Sequence, residues 1–235
     1  MNAETSSNSN SPSRFVRWFI LNVREPVNGY THALGAVLSL FGMIWLVWLA
    51  RELPGRAIAL AIFGTTMVLL YTASSVMHLY KGDAKIEKTL NIIDHAAIYL
   101  LIAGSYTPFC YAFLDGWWRV GMLTTIWTVA LIGVTLKLGF NMYGHVSTAF
   151  YVLMGWIAAI MIPKMLMSGY VSAMGMLALG GIIYTIGAVI YALEKPNFHK
   201  YFGYHELWHL FVLGGSACHF IAAAIWVAYP ATLIH

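Results

Sequence analysis

The sequence predicts an all-α protein of the membrane, a bundle of seven transmembrane helices. Two observations favour this fold. Of the 235 residues, 60% are hydrophobic and only 9% are charged, whereas ordinary soluble domains carry about 25% charged residues. In addition, mostly apolar stretches close to or above the roughly 20 residues needed to cross the hydrocarbon core occur seven times along the chain.

The seven stretches are separated by connections of a few to roughly a dozen residues, which leave no room for a soluble domain. Short connections make sequential helices antiparallel neighbours in one bundle. The glycine pairs at 180–181 and 214–215 favour close packing of helices. The predicted membrane-spanning stretches are 31–50, 57–79, 91–113, 118–136, 147–168, 171–193 and 205–229.

Two polar or amphipathic segments precede the first stretch. Residues 1–13 are rich in serine and asparagine, and they carry too little apolar surface to offset the entropy lost on ordering. Residues 14–29 begin by interleaving three arginines with aromatic residues, a pattern typical of a short helix at the headgroup surface. The sequence therefore predicts a disordered tail (1–13), an interfacial segment (14–29) and a seven-helix transmembrane domain (30–235).

The basic residues predict the orientation of the bundle. A cytoplasmic N-terminus places nine of the 13 lysines and arginines inside and four outside, as the positive-inside rule prefers. After seven crossings the C-terminus is then outside, and the chain is a multi-pass protein of the cell membrane. The net charge of +4 is explained by attraction of the inner segments to anionic lipid headgroups, and it requires no nucleic acid partner.

Polar side chains in a membrane are costly, and each calls for a partner or a function. With the predicted orientation, these side chains gather at the cytoplasmic ends of three helices and at the entry to the first. The residues that share this depth are His78, Asp94, His95, His205 and His209, together with Glu25, Asn28 and His32.

The histidines at this depth indicate a metal site. His205 and His209 lie four residues apart, so they project from one face of a helix, one turn apart, and can share an ion. His78 is at the right depth to supply a third ligand. Three histidines and a water form an open zinc site, although imidazole also suits copper, iron and nickel.

The stretch His205-Glu206-Leu207-Trp208-His209 also matches the HExxH motif of zinc proteases. No carboxylate follows Glu206, and the glycine and histidine of the metzincin extension are absent. An intramembrane protease could use Leu114-Asp115-Gly116, but this tripeptide precedes the histidines and is predicted at the opposite end of the bundle. The sequence thus disfavours a protease.

The order and spacing of these residues resemble the successive motifs of the hemolysin III branch of the progestin and adipoQ receptor (PAQR) superfamily. The matching positions are Glu25, Asn28, His32 and Gly35, then Ser74 and His78, then Asp94 and His95, then His205 and His209. The resemblance implies a seven-helix bundle with its N-terminus inside and a Zn²⁺ held by His78, His205 and His209. It places Ser74 and Asp94 behind these ligands or on the zinc-bound water, and it leaves the position of Glu206 free to vary.

Three hypotheses for function follow. The first is a zinc-dependent hydrolase of lipid amide or ester bonds near the cytoplasmic leaflet, with Asp94 and Ser74 as catalytic residues; this rests on analogy with related ceramide hydrolases. The second is a sensor or regulator of membrane state with a structural zinc. The third is a pore-forming hemolysin. The expected partners are membrane lipids, including a lipid substrate or a free fatty acid.

Overall fold

The computed structural model describes residues 23–140, 144–199 and 202–229, and the described part contains seven helices long and apolar enough to cross a membrane. The fifth crossing is composite: the α-helix Gly144–Trp156 continues through a 3₁₀ turn, Ile157–Met161, into the short helix Ile162–Met167, and we call the whole crossing α5. The other helices are α1 (Pro26–Leu49), α2 (Pro54–Leu79), α3 (Ala84–Phe113), α4 (Gly116–Phe140), α6 (Val171–Leu193) and α7 (Tyr204–Trp226).

All seven predicted crossings are confirmed, and the largest difference is at the start of α3. This helix begins at Ala84, seven residues before the predicted stretch. The Asp83 carboxylate caps it by accepting hydrogen bonds from the backbone N–H groups of Lys85 (2.8 Å) and Ile86 (3.2 Å). Its 30 residues span about 45 Å, so that its exposed polar first turns extend beyond the hydrocarbon core.

The start of α1 also lies earlier than predicted. The helix begins at Pro26, where the fixed φ of proline suits a first helical turn, so residues 26–29 belong to α1. The predicted disordered tail (1–13) and most of the predicted interfacial segment (14–22) lie outside the described residues.

The centre of the bundle is α3, which packs against α2, α4, α5 and α7. The α1 helix packs on α2 and α7, and α6 packs on α7 and α5. The interior is filled with large side chains such as Phe63, Tyr71 and Tyr99, each at most 1% exposed, while the outward faces of the helices are apolar, as contact with lipid requires. Cys110 and Cys218 are both free thiols.

One basic residue changes the charge count. Lys137 lies inside α4 and is only 3% exposed, whereas the positive-inside argument counts loop residues. Removing it from the nine predicted inner charges leaves eight against four. The preference for a cytoplasmic N-terminus therefore persists as a prediction.

We predict that a reporter fused after His235 is exposed on the extracytoplasmic side and that a reporter inserted between Lys81 and Lys88 stays in the cytoplasm. The physical reason is the excess of basic residues on one side of an odd number of crossings. Accessibility to a membrane-impermeant label measures both positions. Protection of both reporters would contradict the orientation.

Candidate metal centre

Three histidines from two helices meet at one end of the bundle. His78 lies in the last turn of α2, and His205 and His209 occupy the first two turns of α7. One nitrogen from each ring lies within 4.8 Å of the other two. The ring centroids are 4.6 to 5.0 Å apart. The predicted ligand set is therefore assembled in the fold.

Glu25 joins the first helix to this cluster. Its Oε2 lies 2.7 Å from Nδ1 of His78 and 3.6 Å from Nδ1 of His205. The backbone supports the contact, because the Glu25 N–H donates to the carbonyl oxygen of His78 at 2.9 Å. Burial of the carboxyl alone would raise its pKa, but the hydrogen bonds with His78 and Asn28 and the charge of the imidazoles outweigh this and hold the pKa of Glu25 at about 2.

Asn28 connects Glu25 to the start of α7. Its Nδ2 donates to Glu25 Oε2 at 3.0 Å and to Glu206 Oε1 at 3.1 Å. Glu206 Oε2 in turn accepts the backbone N–H of Gly203 at 2.7 Å, as a residue in the third position of a helix does in a capping box. Although the resemblance leaves the position of Glu206 free to vary, this residue has a structural role: it caps α7 and accepts a hydrogen bond from Asn28, and it is not one of the three clustered ligands.

His32 extends the cluster towards the middle of the membrane. Its ring lies against His209, with centroids 3.9 Å apart, and meets the ring edge of Tyr71 at 5.0 Å. The side chain is only 3% exposed, so it fixes the position of the His209 ring from behind.

The donor atoms fit a metal ion. Nε2 of His78 is buried and has no hydrogen-bond partner among the described residues, while Nδ1 of the same ring is engaged by Glu25. In a metal-bound histidine, the ring nitrogen that does not bind the metal is often hydrogen-bonded to a carboxylate. This hydrogen bond fixes the tautomer and the orientation of the ring. An ion bound to the three rings would give the buried nitrogen of His78 its missing partner.

Asp94 lies beside the cluster without belonging to it. The Ser74 hydroxyl interacts with its carboxylate, and Ser74 stands one helical turn before His78 on the same face of α2. Asp94 interacts electrostatically with His78 and with the buried Lys137 of α4. The neighbouring His95 binds the carbonyl oxygen of Asn91 through Nδ1 at 2.8 Å, which ties its ring to its own helix.

A cavity of about 250 Å³ opens from this site into the bundle. Ser74, Asp94, His205 and His209 line its polar end, and aromatic, aliphatic and methionine side chains line the remainder. Along α3 the cavity extends from Asp94 to Phe109, which corresponds to about 22 Å of helix. Side chains exposed on the lipid-facing surface, including Trp156 and Ile162, also border it, so the cavity reaches the side of the bundle.

All eight predicted site residues thus lie together, and Lys137 is the residue that sequence reasoning missed. The charge count treats Lys137 as a residue of a cytoplasmic connection. A lysine flanked by Leu136 and Leu138 at the end of an apolar stretch, however, indicates burial. Asp115, the acid of the alternative protease motif, is about 31 Å along α3 from Asp94 and pairs with Lys164 at 3.4 Å.

Comparison with known proteins gives the family of the chain. The family model described as Haemolysin-III related matches residues 21–220. This chain belongs to the hemolysin III family. It is 37% identical to Hemolysin-3 of Bacillus cereus over 206 residues, which cover 86% of this chain and 91% of the relative. It is also 37% identical to the Hemolysin-3 homolog of Bacillus subtilis over 199 residues, which cover 83% and 91%.

A more distant similarity extends to mammals. The chain is 29% identical to the human monocyte to macrophage differentiation factor over 232 residues, covering 91% of this chain and 92% of the relative. The matched family region contains every residue of the site from Glu25 to His209. Seven apolar helices and membership of this family together make the chain a multi-pass protein of the cell membrane.

We predict that alanine at His78, His205 or His209 abolishes stoichiometric metal binding, because each ring supplies one of the three nitrogen ligands that cluster in the described part of the chain. Zinc per chain is measured by mass spectrometry of the purified protein, with about one ion expected for the wild type. His199→Ala serves as the control, since its ring does not belong to the cluster. Full zinc content in a His205→Ala, His209→Ala double variant would contradict the site.

Proposed function

We propose that the chain is a zinc-dependent hydrolase of lipid amide or ester bonds near the cytoplasmic leaflet, with the zinc held by His78, His205 and His209. The observation that carries the proposal is the continuity of the three-histidine cluster, the Asp94–Ser74 pair and a long apolar cavity. A metal site at the end of an acyl-sized cavity suits a substrate with a polar linkage and a hydrocarbon tail.

The zinc, when bound, supplies Lewis acidity and lowers the pKa of a coordinated water towards 7. In this proposal Asp94 takes the proton of an attacking water as a general base. In this proposal the Ser74 hydroxyl donates to the Asp94 carboxylate and holds it near the cluster; both side chains line the cavity. Lys137, buried on α4, offsets the charge of Asp94 from another helix.

The cavity supports a lipid rather than a water-soluble substrate. Beyond the polar end its wall consists mostly of side chains such as Leu70, Ile98, Phe109 and Met174, which favour a hydrocarbon chain over water. Its border on the lipid-facing surface near Trp156 offers a lateral route from the bilayer. The same composition argues against a water-filled pore, although two relatives carry the name Hemolysin-3.

A sensor of membrane state is the second candidate, and one observation favours it. The ligands come from α2 and α7, and Glu25 adds α1, so that a bound ion would fasten three helices together without any turnover. The sensor requires metal binding alone, whereas the hydrolase also requires Asp94 to take a proton from the water that attacks the substrate.

Asp94→Asn separates the two candidates, because asparagine keeps the size and the hydrogen bonding of the side chain but cannot accept a proton as a base. For the hydrolase we expect zinc to stay bound and hydrolysis to fall by about 10²–10⁴-fold. The measurement is fatty acid released from a panel of long-chain amides and esters in bilayers, with zinc content determined on the same samples.

The matched control is Asp83→Asn, which removes the charge of the α3 cap, three turns away from the site. Equal hydrolysis by wild type and Asp94→Asn would remove the role assigned to Asp94. A zinc-loaded wild type that releases no fatty acid across the panel would favour the sensor.

A further inference from the structure

A second polar group of side chains lies deeper in the same cavity, away from the metal centre. Tyr184 of α6 and His219 of α7 both line the cavity, and their ring centroids are 5.5 Å apart. Their neighbours on the wall, such as Leu177 and Val212, are apolar. Polar side chains at this depth are costly, and the proposed hydrolysis uses neither of them.

Two glycines hold these rings in place. A Cβ atom on Gly180 would lie 2.6 Å from Cδ2 of His219, and a Cβ atom on Gly215 would lie 2.7 Å from the ring of Tyr184. Each ring is therefore packed against a glycine of the opposite helix. The glycine pairs that the sequence analysis assigned to helix packing also position this polar pair.

The hydrogen bonds of His219 leave one nitrogen as an acceptor. Nε2 lies 3.3 Å from the carbonyl oxygen of Leu177, which assigns the ring proton to Nε2 as the donor. Nδ1 is then an unprotonated acceptor. It is buried, with no hydrogen-bond partner among the described residues.

The hydroxyl groups of Tyr184, Ser216 and Tyr71 carry one more proton than their two mutual hydrogen bonds use. The hydroxyl of Tyr184 lies 2.7 Å from Ser216 Oγ, and that of Tyr71 lies 2.6 Å from the same atom. Three hydroxyl protons thus serve two short hydrogen bonds. A further acceptor, the carbonyl oxygen of Val212, lies at 3.5 Å from the Tyr71 hydroxyl, a distance at which a hydrogen bond is weak. When Tyr71 donates to Ser216 and Ser216 donates to Tyr184, the proton of Tyr184 is free for a ligand.

We propose that Tyr184 and His219 form a recognition site for a hydroxyl group carried in the middle of an acyl chain. Such a hydroxyl accepts from Tyr184 and donates to Nδ1 of His219, so that it satisfies both. This inference rests on the proposed function in one respect, namely that an acyl chain occupies the cavity with its polar end at the metal centre.

The position of the hydroxyl follows from the helix geometry. Ser216, which marks the depth of the Tyr184 hydroxyl, and His219 are seven and ten residues beyond His209, which corresponds to about 10 and 15 Å along α7. An extended chain advances roughly 1.2 Å per bond. The recognised hydroxyl therefore lies about eight to twelve bonds from the carbonyl carbon, on roughly carbons 9 to 13 of an 18-carbon chain, a range that includes carbon 10.

The test is equilibrium binding of fatty acids to the full-length, zinc-loaded protein in nanodiscs, by displacement of a fluorescent fatty acid. The probes are stearate, 10-hydroxystearate, 2-hydroxystearate and 10-oxostearate. We expect 10-hydroxystearate to bind roughly two- to tenfold more tightly than stearate, the gain from one or two satisfied hydrogen bonds. The ketone, which can only accept, is expected to lie between them, and 2-hydroxystearate is expected to show no such gain at this site.

Tyr184→Phe and His219→Phe should each abolish the preference, because a hydroxyl in an apolar cavity without partners is penalised. Tyr191→Phe is the matched control: it lies two turns away on α6 and lines the same cavity, and the preference should persist in it. The wild-type comparison is decisive even where a variant fails to fold.

Equal binding of stearate and 10-hydroxystearate by the wild type would overturn this inference and leave the proposed hydrolase intact. A preference that survives in both Tyr184→Phe and His219→Phe would also overturn it. Failure of every fatty acid to bind would overturn both this inference and the occupancy of the cavity on which it rests.

Discussion

The contact on which the site depends is the hydrogen bond of 2.7 Å between the Glu25 carboxylate and Nδ1 of His78. It brings the start of α1 to the end of α2, and the same oxygen also reaches His205 on α7. Without Glu25, Nδ1 of His78 would lose its hydrogen-bond partner, and His78 and His205 would lose the carboxylate that lies within 3.6 Å of a ring nitrogen of each. With it, the free nitrogen of His78 is held in one tautomer and one direction, as a metal ligand requires.

The remaining polar residues at this end form layers around that contact. Asn28 holds Glu25 from one side and is held by Glu206, which caps α7. His32 packs against His209, and Ser74, one turn away from His78, interacts with Asp94. The position of each ligand is thus set by a neighbour on a different helix. Such interlocking prepares a rigid site at the mouth of an apolar cavity, in which ring nitrogens of His78, His209 and His32 still have no hydrogen-bond partner among the described residues.

Much of this could be predicted from the sequence, because a membrane restricts the possibilities. Seven apolar stretches fix the number of helices, and the alternation of direction fixes the depth of His78, Asp94 and His205. Depth does not give the rotation of a helix about its axis. Three features depend on rotation and packing, so they emerged only from the structure: the electrostatic interaction of Lys137 with Asp94, the cap formed by Glu206 and the meeting of Tyr184 with His219.

The central claim is that the Glu25 carboxylate, at the start of α1, holds in place the ligands of a metal site formed by α2 and α7. The most direct measurement is the zinc dissociation constant of wild type and Glu25→Gln, obtained by competition with a chelator of known affinity. Glu87→Gln is the matched control, because Glu87 bonds Arg24 near the same end of the bundle and not the histidines. Zinc affinity lower by about 10–100-fold in Glu25→Gln, with Glu87→Gln unchanged, is the result that we predict. Equal zinc affinity in wild type and Glu25→Gln would contradict the claim.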